Sequence, residues 1–366
     1  MLSVYRKKRD GANNMTTKTK AGNFFEDFRL DQHIVHAVPR TITTGDVAMY
    51  TALFGSRFAL SSSDPFAHAL ALPRAPIDSM LAFHMVFGRT VADISLNAIA
   101  NLGYAGCRFG VFLYPGDTIT SDSKVIGLRQ NKDGKTGVVY VHSTGKNQHG
   151  ETVIDFRRWV MVKKRDFDTQ AQEAVVPTLP DSVPVAELHC PFAVGPGQFD
   201  SARSGSEFLW DDYNAGERID HVDGMTIEEA EHMLATRLYQ NTAKVHFNQH
   251  VEREGRFGKR IVYGGHVISL ARALSFNGLA NALCIAAING GRHAAPSFAG
   301  DTIYAWSEVL GKEPLPGRKD VGALRLRTVA TKDRACHDFP DKDASGASDP
   351  AVVLDLDYTV LMPRRL

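Results

Sequence analysis

Two stretches of the chain are apolar almost all round, and each is set among amphipathic and alternating segments in the same order. From Gly264 to Leu279 the positions Val267, Ile268, Leu270, Ala271 and Leu274 leave almost no polar face, and Ile77 to Phe87 reads the same way. A helix without a wet face must be buried. Ahead of the later one, Thr226-Ile227-Glu228-Glu229 has capping-box spacing and leads into apolar Met233, Leu234 and Leu238. That pattern predicts an amphipathic helix. Runs that alternate apolar and polar residues follow: Gly137 to His142, Val153 to Val162, Leu324 to Thr328 and Val352 to Val360. They predict antiparallel strands with one wet face.

The order recurs because the sequence is repeated. With Asp27-Phe28 placed beside Asp212-Tyr213, a shift of 185 positions, His36 meets His221, Thr41-Ile42 meets Thr226-Ile227, and Leu53 meets Leu238. Further on, Gly116-Asp117-Thr118-Ile119 matches Gly300-Asp301-Thr302-Ile303 at a shift of 184, and Arg108 meets Arg292. A repeat of this length decides the fold before any motif does. The units run over 22–165 and 206–366. Between them, 166–205 carries Pro177, Pro180, Pro184, Pro191 and Pro196, which predicts a linker or a surface wrap. Residues 1–21 read as a disordered extension. A long buried helix wrapped by an antiparallel sheet, twice over, is a duplicated α+β fold. His36 and His221, present in both copies, suit a shared structural hydrogen bond better than catalysis.

Composition removes several classes of function. The 366 residues are 43% hydrophobic and 23% charged with a formal charge of +1, so nothing global calls for nucleic acid or an anionic membrane. No run of about eighteen apolar residues occurs. Cys107, Cys190, Cys284 and Cys336 form no C-x-x-C pair, and a reducing cytoplasm is expected. His246 and His250 have H-x-x-x-H spacing, but Phe247 stands where a zinc protease needs Glu, so no metal is expected. Gly134-Lys135-Thr136 lacks the rest of a phosphate-binding loop and reads as a hairpin turn.

Three stretches carry a resemblance: Tyr239 to Asn248, Ile261 to His266, and Ala299 to Ile303. Together with the element order they resemble the MaoC-like double hotdog enoyl-CoA hydratases, over nearly the whole chain outside the tail and the linker. Phe54 to Asp64 and Asp220 to His250 resemble the mesaconyl-CoA hydratase (β-methylmalyl-CoA dehydratase) family. The (R)-specific hydratase signature, Asp-x-Asn-Pro-x-His-x-Asp, falls with its His on His246, its first Asp on Asn241 and its last on Asn248. Asn can orient a water but cannot take its proton at neutral pH. The resemblance therefore implies His246 as acid and base with Asn241 orienting water, and an oxyanion donor at Gly264 or Gly265.

The reaction implied is reversible hydration of mesaconyl-CoA to β-methylmalyl-CoA, with coenzyme A as part of the substrate and no further cofactor. A second substrate carboxylate calls for a cation, and Lys244, Arg260 and Arg292 are candidates; Asn248 and His266 complete the substrate-binding set. At the repeat shift, Asn241 faces Ser56, His246 faces Ser61, Asn248 faces Ser63 and His266 faces Leu81. One active site per chain is expected, in the second unit, with the first making room for the acyl group. By analogy with paired hotdog units, a homodimer is expected. The alternatives are a hydratase for another enoyl-CoA or for the C4 isomer, a thioesterase, or a silent acyl-CoA-binding protein.

Overall fold

The computed structural model describes residues 18–170, 172–342 and 345–365, so residues 1–17 of the expected extension lie outside it. The first half builds β1 (His33–Thr41), α1 (Thr44–Phe54), α2 (Ser79–Thr90), β2 (Ala98–Phe109), β3 (Thr118–Gln130), β4 (Thr136–Lys146) and β5 (Thr152–Lys163). The second builds β6 (Arg218–Asp220), β7 (Met225–Thr226), α3 (Glu229–Leu238), α4 (Gly264–Leu274), β8 (Cys284–His293), β9 (Thr302–Pro314), β10 (Val321–Lys332) and β11 (Val352–Pro363). Short turns of helix occupy several connections. The strands form one antiparallel sheet in the order β1-β3-β4-β5-β2-β8-β11-β10-β9-β6, with β7 on β9. This is a double hotdog, and the halves meet where β2 pairs with β8, Tyr104 opposite Gly291.

The two buried helices are α2 and α4. Their side chains enter one apolar core shared by both halves, from Met80, Phe83 and Phe87 on one side to Val267, Ile268 and Leu270 on the other. Serial burial of this kind, at about 1.5–3 kcal/mol per large apolar side chain, is the main force holding the halves together. Helix α2 starts two residues later than its apolar run, because Asp78 serves as its N-cap. Helix α4 ends earlier than the apolar run to Leu279, since Asn277 and Gly278 leave helical geometry, Gly278 at φ 100°.

The repeat is visible in individual bonds. His36 and His221 each use Nε2 on a serine hydroxyl of the adjacent strand, Ser123 and Ser307, both at 2.8 Å. Asp117 accepts Tyr114 N–H at 2.7 Å, and Asp301 accepts Phe298 N–H at 2.9 Å, fixing the two Gly-Asp-Thr-Ile turns alike. One expectation needs correcting. Thr226 lies in β7 and pairs its hydroxyl with Thr302, so the capping box at Thr226–Glu229 does not form. The box is made in the first half instead, by Thr43 and Asp46.

The proline-rich segment is a wrap. Val175 adds a backbone pair to Leu128 of β3, Val183 N–H donates to Asn289 Oδ1 at 2.9 Å, and Phe192 and Val194 bury against a second apolar cluster.

Candidate active site

The site grows from the head of α4 and the loop before it. Tyr239 ends α3, and the chain then passes Gly88 of α2 closely enough that an added Cβ there would lie 2.9 Å from the Tyr239 carbonyl carbon. Arg40 of β1 donates to the Leu238 carbonyl at 2.8 Å. The first half thus holds the loop from two sides. A single turn of 3₁₀ helix, Lys244–His246, ends with His246 Nδ1 bonded to the Ile261 carbonyl at 3.0 Å. A carbonyl only accepts, so Nδ1 carries the proton and Nε2 keeps its lone pair. Burial pushes the His246 pKa down to about 4, against the opposing pull of the Ile261 bond. The imidazole is neutral at pH 7.

Next to it stands an open helix end. Tyr263 is the N-cap of α4 and offers no capping side chain. His266 N–H turns back to the Tyr263 carbonyl at 2.8 Å, while Gly264 and Gly265 N–H groups find no backbone acceptor among the described residues. Unpaired N–H groups at a helix start, with the dipole behind them, suit a developing oxyanion. Both glycines are required by crowding. A Cβ on Gly264 would overlap the His293 ring, and one on Gly265 would come within 2.5 Å of His84 and of Tyr263.

The surroundings are largely aromatic, with one charge buried behind them, the Arg158 guanidinium 4.3 Å from the Phe87 ring centre. Tyr263 lies edge-on to His246 with ring centres 5.6 Å apart. Behind it, His84 of α2 bonds Ser269 of α4 at 2.9 Å, and Tyr50 of α1 donates to the same hydroxyl at 3.0 Å. Burial lowers His266 and His84 to about 3 and His293 to about 4. A neutral base, unpaired N–H donors and apolar walls can bind a thioester and move one proton.

A family model described as mesaconyl-CoA hydratase matches residues 9–339. The chain belongs to the mesaconyl-CoA hydratase family. It is 74% identical over 351 residues to the beta-methylmalyl-CoA dehydratase of Chloroflexus aurantiacus, covering 96% of this chain and 100% of that one. A mesaconyl-CoA hydratase of Cereibacter sphaeroides is 55% identical over 349 residues, covering 95% and 100%. A crystal structure of a MaoC domain protein dehydratase from Chloroflexus aurantiacus superposes with a TM-score of 0.94 at 73% identity, covering 96% and 100%.

Within this mesaconyl-CoA hydratase fold the residues expected at the site divide into two groups. His246, Asn241, Gly264, Gly265 and His266 gather on the α3–α4 loop and the head of α4. Asn241 is buried, and its Oδ1 accepts Ala243 N–H at 3.0 Å. Its Nδ2 makes no hydrogen bond among the described residues. Asn248 is turned to local structure, its Oδ1 accepting Val251 N–H at 3.2 Å. Arg260 is tied to Glu229 and to the Phe247 carbonyl.

Arg292 does not reach the site. His293 packs on Gly264, and adjacent strand residues point to opposite faces, so Arg292 points outward. There it reaches Asp355 at 3.6 Å, as Arg108 reaches Asp155 at 3.0 Å in the other half. Lys244 is exposed and, among the described residues, has no carboxylate partner.

Two residues were missed from sequence: His293 on β8 and Tyr263. His293 adjoins Arg292, and a period-two reading of β8 would have turned the histidine inward once the arginine was turned out. A shallow pocket lies elsewhere, at the matching position of the first half, lined by Ser61, Asp78, Ser79 and Arg272. Ser61 stands there where the second half has His246, so the pocket is the repeat's other mouth.

Proposed function

We propose that the chain adds water reversibly to mesaconyl-CoA, giving β-methylmalyl-CoA, at one site in its second half. His246 Nε2 takes a proton from water as the water oxygen attacks the β-carbon. The electron pair of the double bond passes to the thioester oxygen, and the Gly264 and Gly265 N–H groups receive that charge. The imidazolium returns its proton to the α-carbon, so the enzyme ends as it began. Asn241 orients the water through Nδ2 or the remaining lone pair of Oδ1. Lys244 is the candidate partner for the second carboxylate. Coenzyme A enters as part of the substrate, and no other cofactor is needed. The relatives named above support the substrate class. The observation that carries the reading is an imidazole tied at Nδ1, open at Nε2, beside a helix head with no cap.

The reading further places the enzyme in the cytoplasm as a dimer of chains, which sedimentation would check. The decisive experiment follows enoyl-thioester absorbance on mixing the enzyme with C1-esterified mesaconyl-CoA. Rapid loss in the wild type and none above background in His246→Ala is the expected result. Hydration of crotonyl-CoA or the C4 isomer alone would keep the site and overturn the substrate. Tight binding with no turnover of any enoyl-CoA would make the chain a binding protein.

A further inference from the structure

The end of β8 brings to the site a side chain that the mechanism has not used. His293 packs on Gly264, so close that a Cβ there would lie 2.4 Å from Cε1 and 2.6 Å from each ring nitrogen. Its Nε2 is 3.3 Å from the hydroxyl of Tyr104, a buried residue of β2 in the first half. That hydroxyl has no other partner among the described residues. A buried phenol gives up its proton to an acceptor where one is available, and Nε2 is the acceptor within reach. Nε2 then holds a lone pair, and the ring proton of a neutral imidazole must sit on Nδ1. Nδ1 makes no hydrogen bond among the described residues and is not sealed from solvent: it is absent from the buried, unpartnered atoms of the protein.

We propose that His293 is a third donor to the thioester oxygen, its Nδ1–H set toward the Gly264 N–H by the Tyr104 hydroxyl of the first half. The inference rests on the enoyl-thioester reading of the site. Proximity to Gly264 supplies the position, and the Tyr104 bond supplies the tautomer. Burial keeps the ring uncharged, its pKa near 4, with the neighbouring His246 imidazole opposing protonation as well. A neutral donor suits this role, because it strengthens its bond as charge develops without holding the substrate's ground state in an ion pair. The repeat supplies a control. His293 corresponds to Phe109 and Tyr104 to Ile288 at the shift of 184, so the other mouth has neither donor nor director.

The test compares wild type, His293→Ala, His293→Asn and Tyr104→Phe on C1-mesaconyl-CoA, with nitrogen-15 histidine spectra of the free enzymes. Loss of one oxyanion donor predicts a fall in kcat of roughly 10²-fold for His293→Ala with KM changed little. His293→Asn, whose amide N–H falls near Nδ1, should recover a substantial part of that loss. Tyr104→Phe should lower kcat by roughly tenfold and convert the His293 signal from Nδ1–H to a mixture of tautomers. A His293→Ala enzyme with kcat within twofold of wild type, or an Nε2–H tautomer in wild type, overturns the proposal and leaves the functional reading intact. A wild type that hydrates no enoyl-CoA sinks the functional reading itself, whatever the spectra report.

Discussion

At the head of the first buried helix, Asp78 turns its own carboxylate onto the backbone: Oδ1 accepts Met80 N–H at 2.8 Å, and Oδ2 accepts the Ser56 hydroxyl at 3.1 Å. At the same place in the second half stands Tyr263, which caps nothing. The matching N–H, that of Gly265, has no hydrogen-bond partner among the described residues. The positions that follow differ in the same sense. Ser79 and Met80 give way to two glycines, Ser61 to His246, Leu81 to His266 and Phe109 to His293. One copy has satisfied its helix end internally, and the other has left the end open and placed a base beside it. A capped helix end is worth about 1 kcal/mol of stability. In the second half that stabilisation is forgone, and the open donors are those the proposed mechanism uses.

The histidines of the second half make it the acid-sensitive one. His221 and His266 are fully buried, at about 4 and 3, against the 6.5 of an unfolded chain; the first half has His84, at about 3. A folded pKa below the unfolded value means the unfolded state binds more protons between the two. Stability is then whole above pH 6.5 and is lost as pH falls toward 4. Between pH 7 and pH 5 each such imidazole withdraws roughly 2 kcal/mol. Together these rival the ~5–15 kcal/mol that holds a typical domain folded. Denaturant titrations at pH 7 and pH 5 should show this loss. His266→Leu, which writes in the residue of the first half, should narrow the gap between the two pH values by about one imidazole's share. An unchanged gap would mean that His266 is not held neutral.

The same comparison predicts activity. His246→Ala should lower kcat by roughly 10²–10⁴-fold, the usual worth of a general acid–base, while Ser61→Ala at the matching position should stay within twofold. Ser61→His should create no second site, because the helix beside it remains capped. Turnover in a Ser61→His, His246→Ala double variant would break the argument from capping.

Gly264→Ala comes next in size. The added methyl would displace His293 and crowd the unpaired N–H groups, with an expected kcat loss of roughly 10–10²-fold. Ser79→Ala, its counterpart, removes an acceptor of Ile285 N–H at 3.2 Å and should cost only stability, about 1 kcal/mol. Equal effects of the two variants on kcat would remove the distinction between the helix heads.

Much of this difference was legible in the chain. The repeat could be aligned because each half must build the same helix and sheet, and matching turns, such as Asp117 and Asp301, keep the same residues. His246 and Asn241 stood out because the hydratase signature falls on them, and their counterparts in the first half are serines. His293 was hidden, since its role depends on which face of β8 it occupies and on Tyr104, 189 residues away. Arg292, one of three candidate cations, faces outward as its repeat partner Arg108 does, which spacing along a strand does not reveal until the pairing is known. Asp78 was read as part of its helix rather than as its cap, because an apolar run marks where a helix is buried, not where it starts.

The smallest effect is the most discriminating. Asp78→Ala removes the cap of α2 and should cost about 1 kcal/mol, read as a modest fall in the denaturation midpoint, with kcat on mesaconyl-CoA unchanged. It also frees the Ser56 hydroxyl and exposes Met80 N–H to the pocket that Ser61 and Arg272 line. If an open helix head alone made a site, this variant would bind an acyl thioester in its first half as well. It should not, because that mouth still lacks a base, a donor equivalent to His293 and the glycines that let a ligand approach. Calorimetric titration with a saturated acyl-CoA analogue should therefore give the same stoichiometry for wild type and Asp78→Ala. A doubled stoichiometry would show that the cap, rather than the missing side chains, is what keeps the first half closed.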